Sequence, residues 1–154
     1  ARAVELIKRA GLRITKKEES KMEIADFGLS RLQREGAQIV TLVSTDRISA
    51  KIIVLFPRQT MPEHWHPPVG RDHGKEETLR MVDGSISFYQ GSQKISMKMG
   101  DQTTIAPGVK HRFQAGRRGA VMFSISTTAR DILDQFTNPD IVRTTKIAES
   151  ARKG

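Results

Sequence analysis

The stretch PEHWHPP, Pro62–Pro68, sets the problem that the rest of the chain has to answer. If it is a β-strand, successive side chains alternate between faces, so His64 and His66 point one way while Glu63 and Trp65 point the other. Two imidazoles on one face can grip a single ion. A His-x-His pair alone is a weak signal, and the residues beyond it make it sharper. Glu77 lies eleven residues beyond His66 and opens a β-branched and apolar run, and Gly84 comes after it with six residues between. Gly100-Asp101 then begins GDQTTIAPGVKH, in which a tight Pro107-Gly108 turn leads directly into His111.

Outward from this stretch the texture is that of short strands. AQIVTLVS, SAKIIVLF, EETLRMVD, SISFYQ, QKISMKM, DQTTIA, HRFQA and AVMFSIST are separated by turn signals at Asp46-Arg47, Pro57, Asp83-Gly84, Gly91-Ser92, Met99-Gly100, Pro107-Gly108 and Gly116. About eight short strands at this spacing predict an antiparallel sandwich or barrel. Residues 1–34 read as a helical segment packed on it: Val4, Leu6, Ile7, Ala10 and Leu12 approximate a helical stripe, and Thr15-Lys-Lys-Glu18 has the form of a capping box. The barrel domain spans 35–142, its C-terminal part turning helical through ARDILDQF, and 143–154 is a polar tail. No repeat, linker or second domain interrupts this order.

Within EETLRM, parity bears on the choice between two glutamates and favours Glu77 over Glu76. With Glu77 inward, Leu79 and Met81 are inward too, and Glu76, Thr78 and Arg80 face water, as a half-buried strand requires. His73 sits in a polar loop with no strand register tying it to the histidine pair, and is read as a surface residue.

Composition removes several function classes. Without cysteine there is neither a disulfide framework nor a thiolate metal site, so a metal has to sit on His, Asp or Glu. No run approaches the roughly 18 apolar residues of a membrane span, and the opening residues carry charges where a signal peptide needs an apolar stretch; a cytoplasmic protein is expected. The net charge of +9 raises nucleic acid as a partner, but the basic residues are scattered, aromatics make up only 5%, and no nucleic-acid motif accompanies them. Neither a nucleic acid nor a membrane is expected as a partner.

The order His-x-His, Glu, Gly, then Gly-Asp, Pro-Gly and a last His resembles the two motifs of the cupin superfamily over residues 59 to 115, with a longer spacer than usual in HPPVGRDHGKE between His66 and Glu77. The resemblance implies an all-β fold, a small double-stranded β-helix (jelly-roll) barrel with short N-terminal helices and a C-terminal helical segment. It also implies one divalent metal on His64, His66, Glu77 and His111. Three imidazoles and a carboxylate suit manganese, iron, cobalt, nickel or zinc and suit calcium or magnesium poorly.

STDRISAKIIVLFPRQTMPEHWHPPVGRDHGKEETLR, APGVKHRFQAGRRGAV and STTARDILDQFTNPDIV further resemble the bacterial D-lyxose isomerase family of cupins, from about Leu12 to Val142. That resemblance implies a metal, usually manganese, and interconversion of an aldose and its 2-ketose, with a small sugar as the partner. Lys51 shares a strand face with Ile53 and Leu55 in an apolar run and matches a lysine of the family, which implies sugar binding or proton relay. A carboxylate is expected on the strand after the last metal histidine. Ser124 stands there, and Asp131 matches an acidic position further on. The other classes a cupin pocket admits are a non-catalytic sugar-binding or regulatory protein and an iron-dependent dioxygenase. Exposed strand edges of a small barrel predict a homodimer.

Overall fold

In the computed structural model, which describes residues 1–128, 130 and 133–143 and the backbone of 146–147, the strands form one curled sheet around an apolar interior. In chain order they are β1 (Glu23–Ala25), β2 (Ala37–Ser44), β3 (Ile48–Leu55), β4 (Thr60–Trp65), β5 (Glu77–Gln90), β6 (Gln93–Lys98), β7 (Gln102–Ile105), β8 (His111–Thr127), β9 (Gln135–Phe136) and β10 (Lys146–Ile147). Pairing is antiparallel and runs β10-β1-β2-β3-β8-β4-β9, with β5 also on β8 and carrying β6 and β7. The jelly-roll barrel expected from the motifs is the fold observed.

Two strands are longer than the turn signals predict. Asp83-Gly84, read as a turn between two strands, is instead an irregularity within β5, where the register on β8 shifts. Gly84 has φ +74, and a Cβ there would overlap the carbonyl of Gly119 on the paired strand. Glycine therefore bends the strand at a close backbone approach rather than ending it. In the same way Gly116 lies within β8, which makes one ladder to β4 with its first residues and another to β3 with its last.

The sheet is covered on both faces at its centre. Leu55, Leu79, Met81, Phe88, Phe113 and Met122 fill the inside, and Val40, Ile52, Val54 and Val121 meet a helix on the outside. That explains why β3 reads as a continuous apolar run instead of alternating. The covering helix is α1 (Arg2–Arg9), whose Ala3, Leu6 and Ile7 are buried. The expected capping box starts α2 (Lys16–Ser20): Glu18 donates its amide to Thr15 Oγ1 at 3.1 Å, and Thr15 donates its own to Glu18 Oε2 at 2.7 Å.

The expected terminal helices are shorter than the sequence suggests. Helix stops at Ser20, and Glu23–Ala25 joins the sheet as β1. At the other end Ala129, Asp131 and Ile132 of ARDILDQF lie outside the described residues, while Gln135–Phe136 forms β9 on β4. Ladder bonds to an available strand edge, and Phe136 seated on Phe27 at 5.3 Å between ring centroids, outweigh local helix preference there. Lys146–Ile147, in the segment read as a tail, pairs with β1.

Candidate metal centre and sugar pocket

The two histidine motifs meet because β4 lies beside the start of β8. His64 pairs with His111 in the ladder after a register shift from the Met61–Phe113 pair. Pro62, within the shifted stretch, has no N–H to give a ladder, so an irregularity is the expected local outcome. The Pro107-Gly108 turn ties the motifs together a second time: Gly108 donates its amide to the His66 carbonyl at 3.0 Å. Glu77 arrives from β5, buried, while Glu76 beside it is exposed, the facing that strand parity favours. His73 lies apart from the group.

The rings of His64, His66 and His111 lie with centroids 4.3 to 5.3 Å apart. Each has its Nδ1 held from outside. His64 donates to the Pro62 carbonyl at 2.8 Å, His111 to the Val109 carbonyl at 2.9 Å, and His66 Nδ1 lies 2.7 Å from Asp134 Oδ1. A carbonyl can only accept, so the proton of a neutral ring is on Nδ1 and the lone pair is on Nε2. Those lone pairs converge, with one ligand atom from each ring within 4.8 Å of the others. The Nε2 atoms of His66 and His111 are buried without a hydrogen-bond partner, an arrangement that costs free energy unless something electrophilic sits between them. Glu77 Oε1 lies 3.6 Å from His66 Nε2, too long for a hydrogen bond and within reach of a shared ion. Donor set, tautomer and outer partners all fit a divalent transition metal.

The electrostatics arise from burial and neighbours. Burial, reinforced by His111 and His66, holds His64 well below its ordinary value, and burial also lowers His111. Burial acts to lower His66 as well, but Asp134 and Glu77 outweigh it and raise that imidazole. For Glu77, burial alone would raise the carboxyl; Lys75, His66 and Ser124 overcome it and hold the group well below the ordinary carboxylate range.

These directions predict the acid response of the metal-free chain. A lowered imidazole contributes stability that is present above its unfolded value of 6.5 and is lost as the pH falls below it; His64 and His111 both act in this sense. Glu77 adds to the same trend below its unfolded value of 4.5. His66 opposes it, since its contribution is complete below 6.5 and fades as pH rises through its raised value. His64 is held well below its ordinary value and His111 is lowered with it, so chelator-treated protein should melt lower at about pH 5.5 than at about pH 7.5 by calorimetry. An equal or higher melting temperature in acid would contradict these charge states.

The pocket that His64 and His66 help to line carries both polar and apolar side chains. Lys51, Lys75, Glu77, Ser124, Asp134 and Arg143 are among the polar ones, and Phe27, Ile39, Ile53, Met61, Phe113 and Phe136 are the apolar ones. Lys51 is buried as its place in an apolar strand implied, and stands opposite Ser124 in the β3–β8 ladder. Lys75 makes an ion pair with Glu77 Oε2 at 3.2 Å. Asp131 lies outside the described residues. Lys75 and Asp134 were missed from sequence: nothing in the loop GRDHGKE singles out its lysine, and DILD offers two acids with no register to separate them.

Comparison with known proteins agrees with this geometry. The D-lyxose isomerase family profile matches residues 69–153. A D-lyxose ketol-isomerase from Cohnella laeviribosi is 42% identical, over 92% of this chain and 90% of its own length. A D-lyxose/D-mannose isomerase from Thermosediminibacter oceani is 39% identical, over 94% and 92%. Among solved structures, an L-ribose isomerase mutant from Acinetobacter in complex with L-ribose superposes with a TM-score of 0.68 at 13% identity, covering 85% of this chain and 79% of that one. An RmlC-like cupin from Shewanella frigidimarina gives 0.56 at 17% identity, over 72% and 87%. The two structures speak for the cupin fold. No described helix is long and apolar enough to cross a membrane.

Proposed function

We propose that this chain, which belongs to the D-lyxose isomerase family, interconverts an aldose and its 2-ketose, with D-lyxose and D-xylulose as the pair, using one divalent metal on His64, His66, Glu77 and His111. The observation that carries the site is the convergence of imidazole Nε2 lone pairs, two of them buried without a partner, at the floor of a pocket that also holds buried lysines. Manganese is the metal of this reading, and a mixed nitrogen and oxygen shell suits it.

A divalent ion held there by His64, His66, Glu77 and His111 would supply the Lewis acid that makes the hydrogen on carbon 2 of an aldose acidic. The chain's residues supply the rest. Asp134 and the Pro62 and Val109 carbonyls fix the ring orientations and, in the neutral rings, place the proton on Nδ1 so that Nε2 carries the lone pair. Lys51, on the pocket wall, binds a sugar oxygen and relays a proton at Nζ as the hydrogen passes from carbon 2 to carbon 1. Phe27, Phe113 and Phe136 shield the site from water, which strengthens each polar contact within it.

The test is a screen of pentoses and hexoses for ketose formation, with elemental analysis of the purified protein. D-Lyxose should turn over, chelation should stop it, and manganese should restore it. Metal-free turnover, or stoichiometric metal with no ketose from any sugar, would refute the proposal.

We also propose a homodimer. Beyond the part of the sheet that α1 covers, Val43, Ile48 and Ile125 on β2, β3 and β8 are 40, 56 and 57% exposed. Val43 and Ile125 both pair with Ala50, which makes a small apolar face on neighbouring strands. Light scattering at micromolar concentration should give twice the chain mass, and Ile125→Glu should shift it toward the monomer. A monomer mass for the unaltered chain would contradict this.

A further inference from the structure

Resting on the metal reading above, we infer that Ser124 is a positioning residue that turns one chosen oxygen of Glu77 toward the metal and withholds the other. Glu77 Oε2 receives two donors, a short hydrogen bond from Ser124 Oγ and the Lys75 ammonium at 3.2 Å. Its other oxygen, Oε1, is the one 3.6 Å from His66 Nε2. A carboxylate clamped in this way offers a metal one oxygen instead of two, which leaves a coordination position for a sugar oxygen.

The clamp is a matter of register. β8 runs antiparallel to β5, and both Ser124 and Ser126 face inward around Glu77. Ser126 is the residue directly opposite Glu77 in the ladder, yet its hydroxyl is buried without a partner. Ser124, two residues along and opposite Leu79, reaches the carboxylate instead. The position also favours a hydroxyl over an acid. A second carboxylate in contact with Glu77 would repel it and could not donate when ionised, whereas serine adds a donor and no charge. Being fully buried and held between paired strands, Ser124 has little freedom to aim elsewhere.

The experiment compares the unaltered chain with Ser124→Ala, Ser124→Thr and Ser126→Ala, each stripped with chelator and titrated with Mn2+ while electron paramagnetic resonance follows both free ion and the bound-ion spectrum. Ser124→Ala should weaken Mn2+ binding by about 10- to 100-fold and alter the bound-ion splitting, as loss of an outer partner to a metal ligand does. Ser124→Thr, which keeps the hydroxyl, should restore both to within about threefold, and Ser126→Ala should leave both unchanged. Thermal melts report folding, and Ser124→Cys, nearly isosteric and a weak donor, replaces the alanine variant if that one melts early. Unchanged affinity and spectrum in Ser124→Ala would overturn the inference while leaving the metal site standing; so would equal losses in all three variants, which would indicate wall packing. An unaltered chain that takes up no Mn2+ would remove the metal reading and this inference with it.

Discussion

Replacing His64 and His66 together by Ala should abolish metal binding and lower kcat/KM by about a thousandfold or more, while the barrel still folds. The size reflects what a bound cation contributes to stabilising developing charge, several kcal/mol, at about 1.4 kcal/mol for each factor of ten. The double change is chosen because it removes two of the four proposed ligands at once, and the chain has no cysteine to compensate. Folding should survive because the interior beneath the site, with Leu79, Met81, Phe88 and Phe113, does not depend on these two rings. The change also deletes a desolvated imidazole, His64, whose charged form the fold already disfavours. Elemental analysis, circular dichroism and ketose assay decide the matter. A folded double variant with full metal content and normal turnover would show that the ion sits elsewhere.

Much of this site was legible in the sequence because it is built on strands, where side chains alternate and parity has predictive force. Glu77 was chosen over Glu76, and Lys51 picked out of SAKIIVLF, by that alternation; both prove buried and line the same pocket. His64, His66 and His111 were singled out by strand alternation together with the resemblance to the two cupin motifs, and the Gly108 amide on the His66 carbonyl is a contact by which the Pro-Gly turn joins those motifs. Legibility failed where position depends on tertiary pairing. Asp83-Gly84 carries a turn signature, but the close approach of Gly119 makes it a bend within β5. Gln135–Phe136 continues a helix-like pattern and is taken up by the edge of β4. Asp134 and Lys75 reach the site from loops, which have no period to announce them. Ser124 is instructive in a different way. The sequence marked it as the place where an acid was missing, and only the geometry shows that its hydroxyl is spent on Glu77.

Lys51→Met should lower turnover by at least about tenfold, at the low end of the 100- to 10,000-fold range within which a positioned acid-base group acts. Lys51 is 7% exposed, stands between Thr41 of β2 and Ser124 of β8, and lines the same pocket as Glu77 and Ser124. Methionine keeps most of the unbranched stem while removing the charge, so the melting temperature should move by only a few degrees and Mn2+ affinity by less than about threefold. The split between kinetic constants then tells which role the lysine has. If Nζ relays the proton, kcat and kcat/KM fall together, because the interaction exists only in the transition state. If it merely holds a sugar oxygen, KM rises and kcat stays. The relay reading also requires the pH profile of kcat to lose a limb in the variant, which a lost binding contact would not cause. Unchanged turnover together with unchanged KM would reduce Lys51 to a wall residue and move the proton transfer to another group.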